Sequence, residues 1–171
     1  MAHVDTPWTR LASRTARALL VRKGISYEEL PGLLAAVGVN ESARSAEGKV
    51  QRGSFRCVFF LQLVYALHAD LPQPLQQLFD ARVSWEDAAK QLFLSGLADH
   101  SLTFSGLSKK LSTASGLNVD ASQVEHQVMA GTYPLTLLLQ LSLVAPMAGL
   151  DRFVDASDVR KAATEQALAA S

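Results

Sequence analysis

The sequence lacks the features that mark secreted and membrane-spanning proteins. It has one cysteine, Cys57, in 171 residues, which excludes an internal disulfide and a cysteine-based zinc cluster. Residues 1–7 lack the charged-then-apolar order of a signal peptide. The longest apolar tract, residues 135–150, is too short for a bilayer helix and contains Gln140, Ser142 and Pro146. We therefore expect a cytoplasmic protein with no membrane segment.

Signatures of catalysis are also missing. The four histidines lie at spacings that form no metal-ligand pair, and the chain has neither a glycine-rich phosphate loop nor a nucleophile elbow. Cys57 has apolar neighbours and fits a core position better than that of a nucleophile. We expect no enzyme activity, no metal site and no cofactor.

The composition favours a folded chain and is neutral overall. Hydrophobic residues make up 49% of the sequence, and 16 basic residues balance 16 acidic ones. The chain can bury one good core or two small ones. Apolar residues recur at helical spacing in the segments described below, so the predicted class is all-α.

Residues 25–55 predict two short helices joined by a turn. Ser26 and Glu29 have the spacing of a capping box, which predicts a helix from about Tyr27, and Gly38 suits its C-terminal end. Asn40 is the expected N-cap of the next helix, Glu41 to Arg52, which ends at Gly53. The expected buried positions are Leu30, Leu33, Leu34 and Val37 in the first helix and Ala43, Ala46 and Val50 in the second.

The outward face of the second helix suits a nucleic-acid groove. We predict that Arg44, Lys49 and Arg52 contact DNA bases or phosphates and that Ser45 holds a phosphate. Exposed charge that only solubilises a helix is the alternative.

Four further positions belong to this predicted interface. Gly48 either lets the backbone approach the duplex or is a simple helix defect, and Gln51 either pairs with adenine or faces water. Arg56 or Arg14 is expected on phosphates.

The order of these elements resembles the lambda-repressor/Cro-like (Xre-type) helix-turn-helix. In that family a leucine-bearing helix, a glycine-hydrophobic turn and a recognition helix ending in an arginine-glycine pair follow one another, as Leu30, Leu34, Gly38-Val39 and Arg52-Gly53 do here. With Phe55 and Phe59-Phe60, the pattern over residues 8–70 is similar to a small bacterial family of uncharacterised domains. The resemblance implies a transcriptional regulator that places this helix in the major groove of double-stranded DNA.

Four further segments complete the predicted fold. Thr6 and Pro7 begin a helix that runs from Trp8 to Lys23. Ser54 is the expected cap of a fourth helix, residues 55–68, which is apolar around most of its circumference and should therefore be covered on more than one side. Residues 72–84 read as a linker with a helical turn at 75–79. Residues 151–171 read as an amphipathic helix capped by Asp155 or Ser157.

The pattern of residues 8–71 recurs further along the chain. Trp8 matches Trp85 at a spacing of 77, and Gly53-Ser54-Phe55 matches Gly131-Thr132-Tyr133 at a spacing of 78. We predict two tandem four-helix units, 1–71 and 85–150, joined by 72–84 and followed by a C-terminal helix, 151–171.

The two predicted units differ in charge. Residues 8–71 hold nine basic and five acidic residues, whereas residues 85–150 hold three and five. Arg44, Lys49, Arg52 and Arg56 are matched by Ser122, Gln127, Ala130 and Pro134. The first unit is therefore the expected DNA reader.

The neutral second unit has two possible roles. It either substitutes for the second subunit of a dimer or docks another protein. Because one unit per chain is basic, we expect a homodimer on a palindromic site, formed through the second unit or the tail. The alternative function is a protein-interaction adaptor or antitoxin-like module that uses the apolar fourth helix and the second unit.

Overall fold

The computed structural model describes residues 4–170, and this part of the chain is all-α, as predicted. It contains ten α-helices and a 3-10 turn at Leu150–Arg152. The helices are α1 (Pro7–Lys23), α2 (Leu30–Ala36), α3 (Ala43–Arg52), α4 (Cys57–Ala66), α5 (Gln73–Asp80), α6 (Trp85–Asp99), α7 (Phe104–Ser115), α8 (Ala121–Ala130), α9 (Leu135–Val144) and α10 (Ala156–Ala170).

Helix α1 has the ends and the buried face that its sequence predicts. The Thr6 hydroxyl accepts from the Thr9 backbone N–H, Pro7 occupies the first turn, and Gly24 ends the helix in a left-handed conformation with φ 66°. The predicted inner residues Trp8, Leu11, Ala12, Ala16, Leu19 and Leu20 are all buried.

Helix α2 begins later than predicted. The Glu29 N–H donates to Ser26 Oγ at 3.3 Å, as a capping box requires, but residues 27–29 form turns and the helix starts at Leu30. Pro31 accounts for this start, because a proline fits the first turn of a helix, where its missing N–H is not needed.

Helix α3 also begins later than predicted. Its N-cap is Ser42, whose hydroxyl accepts from the Ser45 N–H at 3.1 Å, and not Asn40. The predicted end at Gly53 is confirmed, with φ 70°.

Helix α4 is shorter than the predicted 55–68. Ser54 does not cap it, because residues 55–57 are drawn into an antiparallel bridge with residues 133–135. The Cys57 N–H donates to the Tyr133 carbonyl at 2.9 Å, and the Leu135 N–H donates to the Phe55 carbonyl at 3.0 Å. We refer to residues 55–57 and 133–135 as the bridge.

The helices on the two sides of the bridge make corresponding contacts. In the first half (α1–α5) α3 packs on α1 and α4 on α2, and in the second half (α6–α10) α8 packs on α6 and α9 on α7. Across the halves, α1 packs on α9 and α4 on α6, while α4 and α9 pack on each other. The bridge joins Phe55 and Cys57 to Tyr133 and Leu135, the residues 78 positions further on. These contacts define an approximate two-fold axis through the bridge.

The fourth helix is covered on several sides, as its apolar circumference predicts. The covering helices are α1, α2, α6 and α9 of the same chain. The buried residues of α4 are Cys57, Phe59, Phe60, Leu61, Leu63, Val64 and Ala66.

Helix α5 packs on α6 of the second half, and helix α10 packs on helices of both halves. The segment 72–84 contains α5, which extends beyond the predicted turn at 75–79. Its Phe79 ring packs edge-on against Trp85 and at a tilt against Tyr65. Helix α10 starts directly after Asp155 and packs on α1, α7 and α9, with Val159, Ala162 and Ala163 buried. No helix among residues 4–170 combines the length and apolar character needed to cross a bilayer.

Cys57 lies inside the core at the bridge. Burial raises the pKa of its thiol to about 12, and a hydrogen bond with Tyr133 opposes this rise only in part. The Tyr133 hydroxyl in turn donates to the Ala89 carbonyl. A protonated, enclosed thiol is a poor nucleophile.

Substitution of Gly53 by alanine should destabilise the protein strongly. A Cβ there would lie 1.8 Å from the Thr9 carbonyl oxygen, on a backbone that is already left-handed. We expect a loss of about 2–4 kcal/mol in the free energy of unfolding, measured by urea denaturation. Gly24→Ala is the matched control, since Gly24 is left-handed with open space around it, and it should cost about 1 kcal/mol. Equal losses in the two variants would contradict the close packing of α3 on α1.

Cys57 should resist thiol reagents in the native protein. At pH 8, a pKa of about 12 leaves almost no thiolate, and the side chain is fully buried. We expect an aromatic disulfide reagent to react with Cys57 only as fast as the protein unfolds, and at once in denaturant. Rapid stoichiometric reaction of folded protein would show that the site is open.

Candidate nucleic-acid interface

Helix α3 presents one side to solvent because its other side is anchored on two helices. Ala46 and Val50 are fully buried where α3 packs on α1 and α2. The pKa of Tyr27 is raised, chiefly by burial and further by the nearby charge of Glu47 on α3, while Arg17 on α1 opposes this rise. These contacts fix the rotation of α3 about its own axis.

Two of the predicted cationic contacts are fully available. Arg44 and Arg52 are exposed, and among residues 4–170 no carboxylate lies within ion-pair distance of either. Gln51 is exposed as well, with its amide 3.4 Å from the Glu47 carboxylate. Arg52 lies in the last turn of α3, where a cation interacts favourably with the helix dipole.

Lys49 and Ser45 are engaged by an acidic residue of the same segment. Lys49 Nζ lies 2.8 Å from Glu41 Oε2 and 5.0 Å from the centre of the Phe59 ring. The Ser45 hydroxyl donates to Glu41 Oε1. The Glu41 side chain is only 9% exposed, against 37% for Lys49, so this pair is shielded from solvent more than an ordinary surface ion pair.

Gly48 lies close to the side chain of Arg52, and both sequence interpretations of this glycine stay predictions. A Cβ at Gly48 would lie 3.0 Å from Arg52 Nη1. The missing side chain therefore leaves room for the Arg52 guanidinium to lie along the helix.

A surface groove begins where α3 ends. It has a volume of about 440 Å³, and its polar lining includes Lys49, Arg52, Ser54, Arg56 and Glu86. Arg56 is exposed at the centre of the bridge. The groove thus brings three predicted DNA contacts together, and Glu86 of α6 also lines it.

Arg14 lies on the exposed side of α1, as a backbone contact would require. Three other basic residues of α1 have structural partners. Arg10 pairs with Asp5 at 3.0 Å and with Glu165 at 3.8 Å. Arg22 and Lys23 donate to the carbonyls of Arg152 and His68, at 3.0 and 3.3 Å.

Glu41 and Glu86 are the residues that sequence reasoning missed at this site. Glu41 precedes the cap of α3, and its spacing to Ser45 and Lys49, four and eight residues, places all three along one side of the segment. That spacing could have predicted the contacts of Glu41 with Ser45 and Lys49. Glu86 reaches the groove from another half of the fold, which no local pattern indicates.

The corresponding helix of the second half has the same anchoring and different chemistry. Val124 and Val128 of α8 are buried against α6 and α7. The exposed residues Ser122, Gln123, Glu125, His126, Gln127, Met129 and Ala130 include no lysine or arginine. Within residues 4–170, no group of three or more His, Cys, Asp or Glu side chains could hold a metal ion.

Comparison with known families identifies part of the chain. Residues 8–71 match the model of a domain of unknown function, DUF6471. This range covers α1 to α4 and the whole predicted DNA-reading surface. No curated protein and no solved structure matches the chain.

Proposed function

We propose that the protein is a regulator of transcription that binds double-stranded DNA through α3. The observation that carries the proposal is the solvent-facing side of α3, where Arg44 and Arg52 have no acidic partner among residues 4–170. Such arginines can donate paired hydrogen bonds to guanine or hold phosphates.

The distribution of charge supports the same surface. Residues 8–71 carry a net charge of +4 although the chain as a whole is neutral. Phosphate charge is the main attraction between a duplex and a protein, so this part is the one that a duplex attracts. In the proposed complex α3 enters the major groove, and Arg56 and Arg14 contact phosphates on either side.

The ion pair of Lys49 with Glu41 changes the expected order of importance of the DNA contacts. Arg44 and Arg52 are the primary contacts, whereas Lys49 must leave Glu41 before it can reach a phosphate. Ser45 is held by the same carboxylate.

We also propose that the first half resembles Xre-type domains and that the two halves arose as copies of one unit. The corresponding contacts of α1–α4 and α6–α9 support this duplication.

The adaptor alternative stays a prediction. It had two expected docking surfaces, the apolar fourth helix and the second unit; the buried residues of α4 pack against helices of the same chain, so an adaptor would use the exposed surface of the second unit. A cytoplasmic location stays a prediction.

The homodimer stays a prediction as well. The buried side of α10 is used within its own chain, which leaves the outer surface of the second half as the expected contact between two chains.

Removal of the two free arginines should weaken DNA binding in a salt-dependent way. For Arg44→Ala with Arg52→Ala we expect the slope of log affinity against log salt to fall by about two units, because each phosphate contact contributes about 0.9. Fluorescence anisotropy with a random duplex at several salt concentrations measures this slope. Lys109→Ala with Lys110→Ala on α7 is the matched control and should leave the slope unchanged. An unchanged slope in the arginine variant would refute α3 as the contact surface.

Release of Lys49 should strengthen binding. Glu41→Gln removes the partner that holds Lys49 Nζ at 2.8 Å, so we expect a slope about one unit steeper and a higher affinity at low salt. Glu47→Gln removes the same charge from α3 without releasing a lysine, and it should leave the slope as it is. If both variants steepen the slope equally, the Glu41–Lys49 contact has no specific effect on binding.

A further inference from the structure

Helices α3 and α8 both lead directly into the bridge. Gly53 ends α3 two residues before Phe55, and Gly131 ends α8 two residues before Tyr133. Both glycines pack against the first helix of their own half, since a Cβ would lie 1.8 Å from the Thr9 carbonyl oxygen at Gly53 and 2.2 Å from the Glu86 carbonyl oxygen at Gly131. The C-terminal ends of the two helices therefore lie on either side of the approximate two-fold axis.

The approximate two-fold axis meets the protein surface at the bridge. Arg56 at the centre of the bridge is exposed, and Pro134 opposite it is half-buried. Elements related by a two-fold axis lie at equal heights along it. Helices α3 and α8 therefore flank one exposed face of the molecule, with Arg56 between them.

The distance between the two helices is compatible with DNA. A ten-residue helix is about 15 Å long, and four residues of extended chain span at most about 13 Å. With about 5 Å across the antiparallel bridge, the midpoints of α3 and α8 are at most about 46 Å apart. Successive major grooves on one side of a duplex are about 34 Å apart, a separation within that limit.

The outward side of α8 offers hydrogen bonds without positive charge. Gln123 and Gln127 are exposed one helical turn apart, and His126 lies beside them. A glutamine amide can pair with adenine through two hydrogen bonds, although it does not attract phosphates. Helix α8 can therefore read bases only where another element holds the duplex.

We propose that one chain occupies two successive major grooves, with α3 supplying the electrostatic grip and α8 reading the neighbouring groove through Gln123 and Gln127. This inference rests on the proposed function. The recognised site is asymmetric, because the two helices present different side chains. A second chain is not needed to complete it, which sets this arrangement against the predicted homodimer.

The test uses the full chain and a duplex selected from a random pool. Sedimentation should give one chain per duplex, and hydroxyl-radical footprinting should show two protected stretches about 10 base pairs apart. Gln123→Ala with Gln127→Ala should lower the affinity for the selected duplex by about 5- to 100-fold and remove the base preference in one stretch. The same variant should leave random-duplex affinity and the salt slope unchanged. Gln77→Ala with Gln91→Ala, two exposed glutamines outside α3 and α8, should bind like the unmodified chain.

A gain-of-charge variant gives an independent readout. Ser122→Arg with Ala130→Arg places arginines at the positions of α8 that correspond to Arg44 and Arg52. If α8 faces the duplex, the salt slope should steepen by about two units. Ser157→Arg with Thr164→Arg on α10 adds the same charge outside α3, α8 and the bridge and should leave the slope unchanged.

The outcomes separate this inference from the proposed function. Two chains per duplex, a single protected stretch, or glutamine variants that bind like the unmodified chain would overturn the two-groove arrangement while leaving α3 as a DNA contact. Absence of salt-dependent binding to any duplex would overturn both.

Discussion

Two backbone hydrogen bonds at the bridge set the geometry of this molecule. To form them, residues 55–57 must be extended, so α4 cannot begin at Phe55 and Ser54 cannot cap it. The same constraint places the C-terminal ends of α3 and α8 beside each other and directs α4 and α9 into the shared core. The apolar circumference of α4 then requires cover on several sides, and the helices of the other half provide it. The fold is therefore one interlocked body in which neither half has a complete core alone.

The candidate interface follows from this framework and from charge. The packing of Ala46 and Val50 fixes which side of α3 faces solvent. What that side can bind depends on the charge of its side chains and on whether they are already in ion pairs. Glu41 reduces the effective charge of the surface without removing a lysine, because it holds Lys49 in a shielded pair beside an aromatic ring. Arg52 lies beside Gly48 with no such partner, and its charge is uncompensated among residues 4–170. Lys49 and Arg52 carry the same charge on the same helix, yet they differ in how readily they can contact a nucleic acid.

Features encoded locally could be predicted from the sequence. The caps and inner face of α1, the end of α3 at Gly53 and the need to cover α4 all follow from side-chain type and spacing, and the structure confirms them. The starts of α2, α3 and α4 were wrong because several residues could cap each helix, and Pro31, the Ser42 cap and the distant bridge decided among them. The tether on Lys49 was overlooked although its spacing is local. Glu86 at the groove could not be found, since it comes from the second half of the chain.

The crossed packing of α1 on α9 and α4 on α6 has a consequence for assembly and divergence. Two subunits that meet in solution separate on dilution, whereas two halves joined by a short connection keep a fixed local concentration and assemble at any dilution. Subunits encoded by one gene must also change together. Here a substitution in α8 leaves α3 untouched, so each helix is free to acquire its own specificity while both stay anchored on the common core.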